Sequence, residues 1–232
     1  MPRFYPHFPS SCLIATVMAL LFTAVSAGLA PCFAAVEIRE RTSGAAETIV
    51  LEIEGTIAQG DAQRVQSALA ALPTSRQIVV RLNSPGGVLQ EALRMGRYFS
   101  SNGIRTEVLG SSSVCLSACA LAFLGGRNKD GESWRVKGSA ARIGYHAFRR
   151  VVTDKEFTVA DMEEAVASTQ RSLLAVADYL IAVNADIEFL SMMLEKPSND
   201  MSYLENAKAL RTGVHVLDET KGQLVRATPV GP

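Results

Sequence analysis

Net charge is the first thing this chain lacks. Lys plus Arg and Asp plus Glu each number 23 in 232 residues, so the formal charge at neutral pH is zero. Without a basic excess there is nothing to neutralise a phosphate backbone, which argues against nucleic acid as a partner. No Walker phosphate loop, HExxH or paired CxxC is present, so those nucleotide, zinc and thiol chemistries have no sequence support. No internal repeat is visible. Histidine occurs three times and cysteine four. Neither a metal nor a cofactor is expected.

Apolar residues make up 48% of the chain, enough for a substantial core in a length that suits one domain. The first 35 residues read differently from the rest. Arg3 and His7 give a weakly basic start, Cys12 to Ala24 is an apolar run, and small residues follow at Val25-Ser26-Ala27 and Cys32-Phe33-Ala34-Ala35. That is the layout of a secretory signal, with cleavage after Ala27 or Ala34. The rival reading is an uncleaved anchor, since Cys12 to Val36 is long enough for a bilayer core of ~30 Å. Pro31 and the small residues favour cleavage. Leu29-Ala30-Pro31-Cys32 has the look of a lipoprotein box, but the proline directly before the cysteine speaks against it. The expected division is 1–35 as signal, 36–219 as one domain and 220–232 as a polar, flexible tail. Membrane contact is expected only if the first segment is retained.

Removal of the signal takes Cys12 and leaves Cys115 and Cys119 in the mature chain. In an oxidising compartment these can pair. The alternative is two small buried hydrophobes.

Thr48 to Glu54 alternates and is β-branched, which reads as a strand. A helix follows over Gly60–Leu72, a strand over Gln77–Leu82, a helix over Val88–Asn102 and a strand over Arg105–Leu109. Ser117–Leu124 reads as helical, Arg127–Ser139 as a loop or hairpin, and Ala141–Tyr145 as a strand. Helices are expected at Val159–Val183, Ile187–Leu194 and Ser202–Leu210, with a last strand at Val214–Val216. The alternation in the first half argues for stacked βαβ units and an α/β fold.

Three segments carry chemistry. Leu82-Asn83-Ser84-Pro85-Gly86-Gly87 stands between a strand and a helix. Its glycines admit backbone angles that expose N–H groups to a developing negative charge. An ordinary strand-to-helix turn is the alternative. In Val114-Cys115-Leu116-Ser117-Ala118-Cys119-Ala120, a serine opens a helix of small residues. It reads either as an N-cap or as a nucleophile whose intermediate is held by the Ala118 amide. Ile143-Gly144-Tyr145-His146-Ala147-Phe148 places a histidine at a strand end, as a general base or a buried structural histidine.

The ordered trio resembles the ClpP-like serine peptidases of the ClpP and crotonase superfamily, over roughly Ile49 to Val216. In that family an NSPGG turn supplies oxyanion amides. A serine then heads a small-residue helix with a glycine nine residues on, here Gly126, and a histidine follows at a strand end. Exported ClpP-like proteins with a Ser-Ala-Cys motif are especially similar. The resemblance implies a spiral of ββα units with a helical C-terminal part, and an ATP-independent peptidase acting on peptides or proteins in the periplasm. Ser117 is then the nucleophile and His146 the base. Gly86 or Gly87 and Ala118 form the oxyanion hole. Counting back from the Ala209–Gly213 helix end lands on Met201, so Asp200 becomes the third triad member by a one-residue shift. A dyad without it is the alternative.

There are departures. Ser113 stands where the family has a glycine, and the 127–140 loop is longer than usual. A Ser–Lys mechanism would look to Lys137, which fits less well than His146. The resemblance also implies a homo-oligomer. Competing functions are a non-catalytic ClpP-like binding protein and an acyl-CoA enzyme of crotonase type. Export disfavours the second, because coenzyme A is intracellular, and it equally disfavours an ATPase partner.

Overall fold

The computed structural model describes residues 36–43, 48–147 and 158–228. The expected signal over 1–35, with Cys12 and Cys32, lies outside them. The chain is a mixed α/β fold with two sheets.

Strand β1 (Glu37–Ser43) pairs antiparallel with β2 (Thr48–Glu54). The polar sequence of β1 gives no hydrophobic signal. It forms an edge whose arginines meet β2 carboxylates, with Arg41 2.8 Å from Glu52 and Arg39 3.1 Å from Glu54. Helix α1 (Asp61–Ala70), β3 (Gln77–Asn83), α2 (Leu89–Ser101) and β4 (Arg105–Val108) follow, and β2, β3 and β4 run parallel. Strand β5 (Val114–Leu116) and helix α3 (Ala118–Phe123) lead to β6 (Arg135–Gly138) and β7 (Arg142–Tyr145). The remainder is α4 (Val159–Ala182), α5 (Glu188–Glu195), β8 (Ser202–Tyr203), α6 (Asn206–Arg211), β9 (His215–Asp218) and β10 (Gln223–Val225). The larger sheet has the order β1-β2-β3-β4-β6-β9-β10 and the smaller one β5-β7-β8.

Three segments differ from expectation. The polar stretch 127–139, expected as loop or hairpin, contains β6, a buried parallel strand between β4 and β9. Its cations find carbonyls within the fold. Arg135 donates to Val183 O at 2.7 Å, at the carbonyl end of α4, where a positive charge is favoured. Burial lowers this guanidinium to about 10. Lys137 Nζ donates to Asn206 Oδ1 at 2.7 Å and Gly138 O at 3.1 Å, and burial pushes its pKa down. In place of a helix from Ser202, β8 pairs with β7 and α6 starts only at Asn206, because the open edge of β7 takes a backbone partner. Within the tail expected to be flexible from 220, β10 pairs antiparallel with β9. Beyond it Ala227 N–H donates to His215 Nδ1 at 2.9 Å.

Helix α3 is buried along its whole length. Its last carbonyls accept from the backbone of the following turn, Leu124 N–H on Leu121 O at 3.0 Å and Gly126 N–H on Phe123 O at 3.2 Å, and three distant side chains add further donors. Tyr179 Oη donates to Leu121 O at 2.7 Å, Thr106 Oγ1 to Phe123 O at 2.7 Å, and Tyr145 Oη reaches Ala120 O at 3.5 Å. Burial raises both phenol pKa values, so the hydroxyls stay protonated as donors.

Candidate active site

The site starts where β3 runs out. Ser84 leaves the larger sheet and pairs with the smaller one, its N–H donating to Val114 O at 2.8 Å and its O accepting from Leu116 N–H at 3.0 Å. Asn83 Oδ1 accepts from Val114 N–H at 3.2 Å. The chain then turns through Gly86 (φ 100°) and Gly87 (φ 144°). Buried Ser84 Oγ accepts from Gly86 N–H at 3.0 Å, so that amide is taken. The Gly87 N–H makes no hydrogen bond among the described residues, and Gly87 is exposed. Of the two candidate oxyanion donors in this turn, Gly87 has the free one. Glycine is required there, because a Cβ would overlap the Ile57 carbonyl.

Ser117 sits between β5 and α3 with φ 56° and ψ −123°. For a serine this backbone costs about 1–3 kcal/mol and persists only where the surroundings impose it. Its N–H donates to Gly144 O at 2.8 Å, which carries the β5–β7 pairing one residue past Leu116. Cys115 and Cys119, on either side of it, are joined as a disulfide with Cα atoms 5.1 Å apart. Gly86 closes the third side. A Cβ there would lie 2.8 Å from Ser117 Cβ and 3.2 Å from Ala118 N. The Ser117 side chain makes no capping bond to α3, so its hydroxyl is not used as an N-cap. The Ala118 N–H likewise has no partner among the described residues.

His146 directly follows β7. Strand register places Tyr145 beside Ser117 and His146 next to it. The ring is half-buried, and Nδ1 lies 2.6 Å from Ala147 O. A carbonyl only accepts, so the proton is on Nδ1 and Nε2 keeps its lone pair, the tautomer a general base needs. Among the described residues no hydrogen bond joins His146 to Ser117 or to a carboxylate.

Asp200 is engaged elsewhere. It is exposed, pairs with Lys196 Nζ at 3.1 Å and accepts from Met201 N–H at 2.7 Å. Lys196 first, then the Met201 N–H, holds its pKa below the usual carboxylate range. The structure therefore brings Ser117, Ala118, Gly86 and Gly87 together with His146 one register step away, and leaves Asp200 facing Lys196. Lys137 belongs to the other sheet, with its amine on Gly138 and Asn206.

Three residues outside the sequence motifs support this region, Ile57, Asp61 and Glu91, and Ser84 does so from within the Pro-Gly-Gly turn. Ile57 N–H donates to Gly86 O at 2.8 Å and Ile57 O accepts from Val88 N–H at 2.9 Å, so Gly87 is bracketed from behind.

A cavity of about 410 Å³ lined by Arg76, Asn102, Lys129 and Trp134 lies where β3 begins, at the strand end opposite Asn83. Among the described residues no three His, Cys, Asp or Glu side chains converge as a metal site requires, and no helix is long and apolar enough to cross a membrane. Compared with known proteins, the chain matches no family model and no curated sequence.

Proposed function

We propose that this protein is a ClpP-like serine peptidase, exported and active without ATP, with Ser117 and His146 as a catalytic pair. The observation that carries the reading is the Ser117 backbone. A non-glycine residue at φ 56° whose side chain forms no cap is wedged against Gly86, beside N–H groups of Gly87 and Ala118 that have no partner among the described residues. Such strain concentrates at functional sites.

In the proposed mechanism Ser117 Oγ attacks the scissile carbonyl carbon and its proton passes to His146 Nε2. The carbonyl oxygen becomes an oxyanion held by the Gly87 and Ala118 N–H groups. The tetrahedral intermediate collapses, the C–N bond breaks, and His146 returns the proton to the leaving amine. Water then hydrolyses the acyl-enzyme by the same route. The Ser117–His146 hydrogen bond, absent among the described residues, forms when substrate displaces solvent. No cofactor enters. The ββα spiral belongs to this proposal, as does self-association, which the exposed Val159, Met162 and Val166 of α4 support. A monomer by light scattering would remove the self-association.

The test is a fluorophosphonate probe on the mature protein with Ser117→Ala and His146→Ala alongside. Labelling of the wild type that disappears in both variants supports the reading. A folded wild type that takes no label favours the second reading, a non-catalytic binding protein of the same fold. That alternative is favoured by the absence of a carboxylate on His146 Nδ1 among the described residues.

A further inference from the structure

The mechanism leaves a pair of buried carboxylates unused, both behind the glycine turn. Glu91 in the first turn of α2 is 0% exposed and Asp61 at the start of α1 is 1% exposed. Their acceptor oxygens meet at residues 58–62, and Asp61 Oδ2 also accepts from Val36 N–H at 3.2 Å. Glu91 Oε2 accepts from Ala62 N–H at 2.8 Å, and Oε1 from Gln59 Nε2 at 3.0 Å. Asp61 Oδ2 accepts from Ala58 N–H at 2.7 Å. Arg94 and Arg64, each half-exposed, balance the two charges from the solvent side at 2.9 and 2.7 Å.

That segment begins one residue after Ile57, whose N–H holds Gly86 O. A peptide unit is planar and trans, so its C=O and N–H point in opposite directions. With the Gly86 carbonyl turned onto Ile57, the Gly87 N–H must point away from Ile57. Rotation of this one peptide by half a turn would bury the donor against Ile57 and remove it from the site. Glycine at both positions makes such a rotation sterically easy. Something other than side-chain bulk has to prevent it, and the tie through Ile57 does so.

We infer that Glu91 is a positioning residue for the oxyanion donor. By holding Ala62 and Gln59 it fixes the 57–62 segment, and through Ile57 it sets the direction of the Gly87 N–H. This rests on the hydrolase reading above. Glu91 sits four residues past Gly87, in the first turn of the helix that the glycine turn enters, so it joins the two halves of the clamp, whereas Asp61 stiffens one half from within.

The test combines two readouts. Fluorophosphonate labelling is resolved into a limiting rate and a half-saturating concentration, and amide exchange is followed at Ile57 and Val88. Glu91→Ala should lower the limiting rate by about tenfold or more, since a displaced oxyanion donor acts on the transition state. The half-saturating concentration should stay within about twofold, because ground-state binding does not use that donor. Exchange at Ile57 and Val88 should accelerate. Glu91→Gln should restore both readouts. Its oxygen still accepts from Ala62, its NH₂ meets a Gln59 amide that can turn round, and Arg94 is already in contact with water. Leu180→Ala, on the core face of α4 at 1% exposure, controls for lost stability and should change neither readout.

A folded Glu91→Ala that labels at the wild-type rate overturns the inference. So does Leu180→Ala slowing labelling equally at an equal loss of Tm. If Glu91→Ala does not fold, Asp61→Ala unties Ala58 in the same segment, and unchanged rate and exchange in that variant also overturn it. If the wild type takes no label, the hydrolase reading falls alone. Faster exchange at Ile57 and Val88 in Glu91→Ala but not in Leu180→Ala then upholds the clamp, and unchanged exchange removes it as well.

Discussion

Gly86 and Ser117 touch across the junction of the two sheets: a Cβ on Gly86 would stand 2.8 Å from Ser117 Cβ and 2.6 Å from Leu116 O. The contact links the strand-to-helix turn that carries the Gly87 N–H to the strand-to-helix turn that carries the serine. Gly86→Ala must move one of them, and it also places a side chain at φ 100°. The expected result is a loss of about 1–3 kcal/mol in stability, with labelling of Ser117 abolished. Thermal melting and probe labelling measured together check this, and a labelled Gly86→Ala would show that the two turns are not coupled.

Asp200→Asn should leave labelling within about twofold of wild type, because its carboxylate faces Lys196 and the Met201 N–H while His146 Nδ1 donates to Ala147 O. Loss of a triad aspartate of the familiar kind costs about 10⁴ in rate. A drop of that size would place Asp200 on His146 after all.

The Cys115–Cys119 bond closes a short loop centred on Ser117. Loop-closure entropy puts its contribution near 2 kcal/mol, about half that of a long loop. The double variant Cys115→Ala/Cys119→Ala should melt lower by a corresponding amount and label more slowly, since one of the three restraints on the strained serine is gone. Unchanged labelling would show that Gly144 O and Gly86 hold the turn unaided.

Tyr179→Phe removes the donor to Leu121 O at 2.7 Å and leaves that buried carbonyl with the Leu124 N–H alone, at 3.0 Å. A cost of about 0.5–1.5 kcal/mol, the net worth of one hydrogen bond, is expected in denaturant unfolding. A neutral outcome would mean that water replaces the hydroxyl.

His215 lies between Ser133 O and Ala227 N–H, so Nε2 is the donor and Nδ1 the acceptor. Burial first, opposed by the Ser133 carbonyl, lowers its pKa from 6.5. A depressed histidine pKa means the unfolded chain binds more protons as the pH falls. Its contribution is intact above about 6.5, is lost on acidification toward the folded pKa, and levels off below it. Stability of the wild type should fall in that window relative to His215→Gln, with the C-terminal strand β10 released first. Parallel slopes in the two proteins would contradict this.

Local pattern made much of the architecture legible. β-Branched alternation marks β2, spaced apolar residues mark α1 and α2, and the Pro-Gly-Gly turn, the serine before small residues and the histidine after a strand each stand in a short window. β6 could not be seen that way. Arg135 and Lys137 look like loop residues, and the groups that make them strand residues, Val183 and Asn206, are 48 and 69 positions away. Spacing along the chain points to Asp200, but spacing does not register that Lys196, four residues back, takes its carboxylate.

Chain order and local composition alone therefore settle that this is an α/β protein with a glycine turn, a serine-headed helix and a histidine at a strand end, because each feature is made by neighbours in sequence. Folding in three dimensions decides which of these groups are free to react. Ser84 occupies the Gly86 amide, and Ile57, steadied by Glu91 and Asp61, turns the Gly87 amide outward. Gly144 and the disulfide hold Ser117 in a backbone it would not adopt alone. Each of these depends on a hydrogen bond or a close approach in space, and free donors and strained angles exist only once partners far apart in the chain have met.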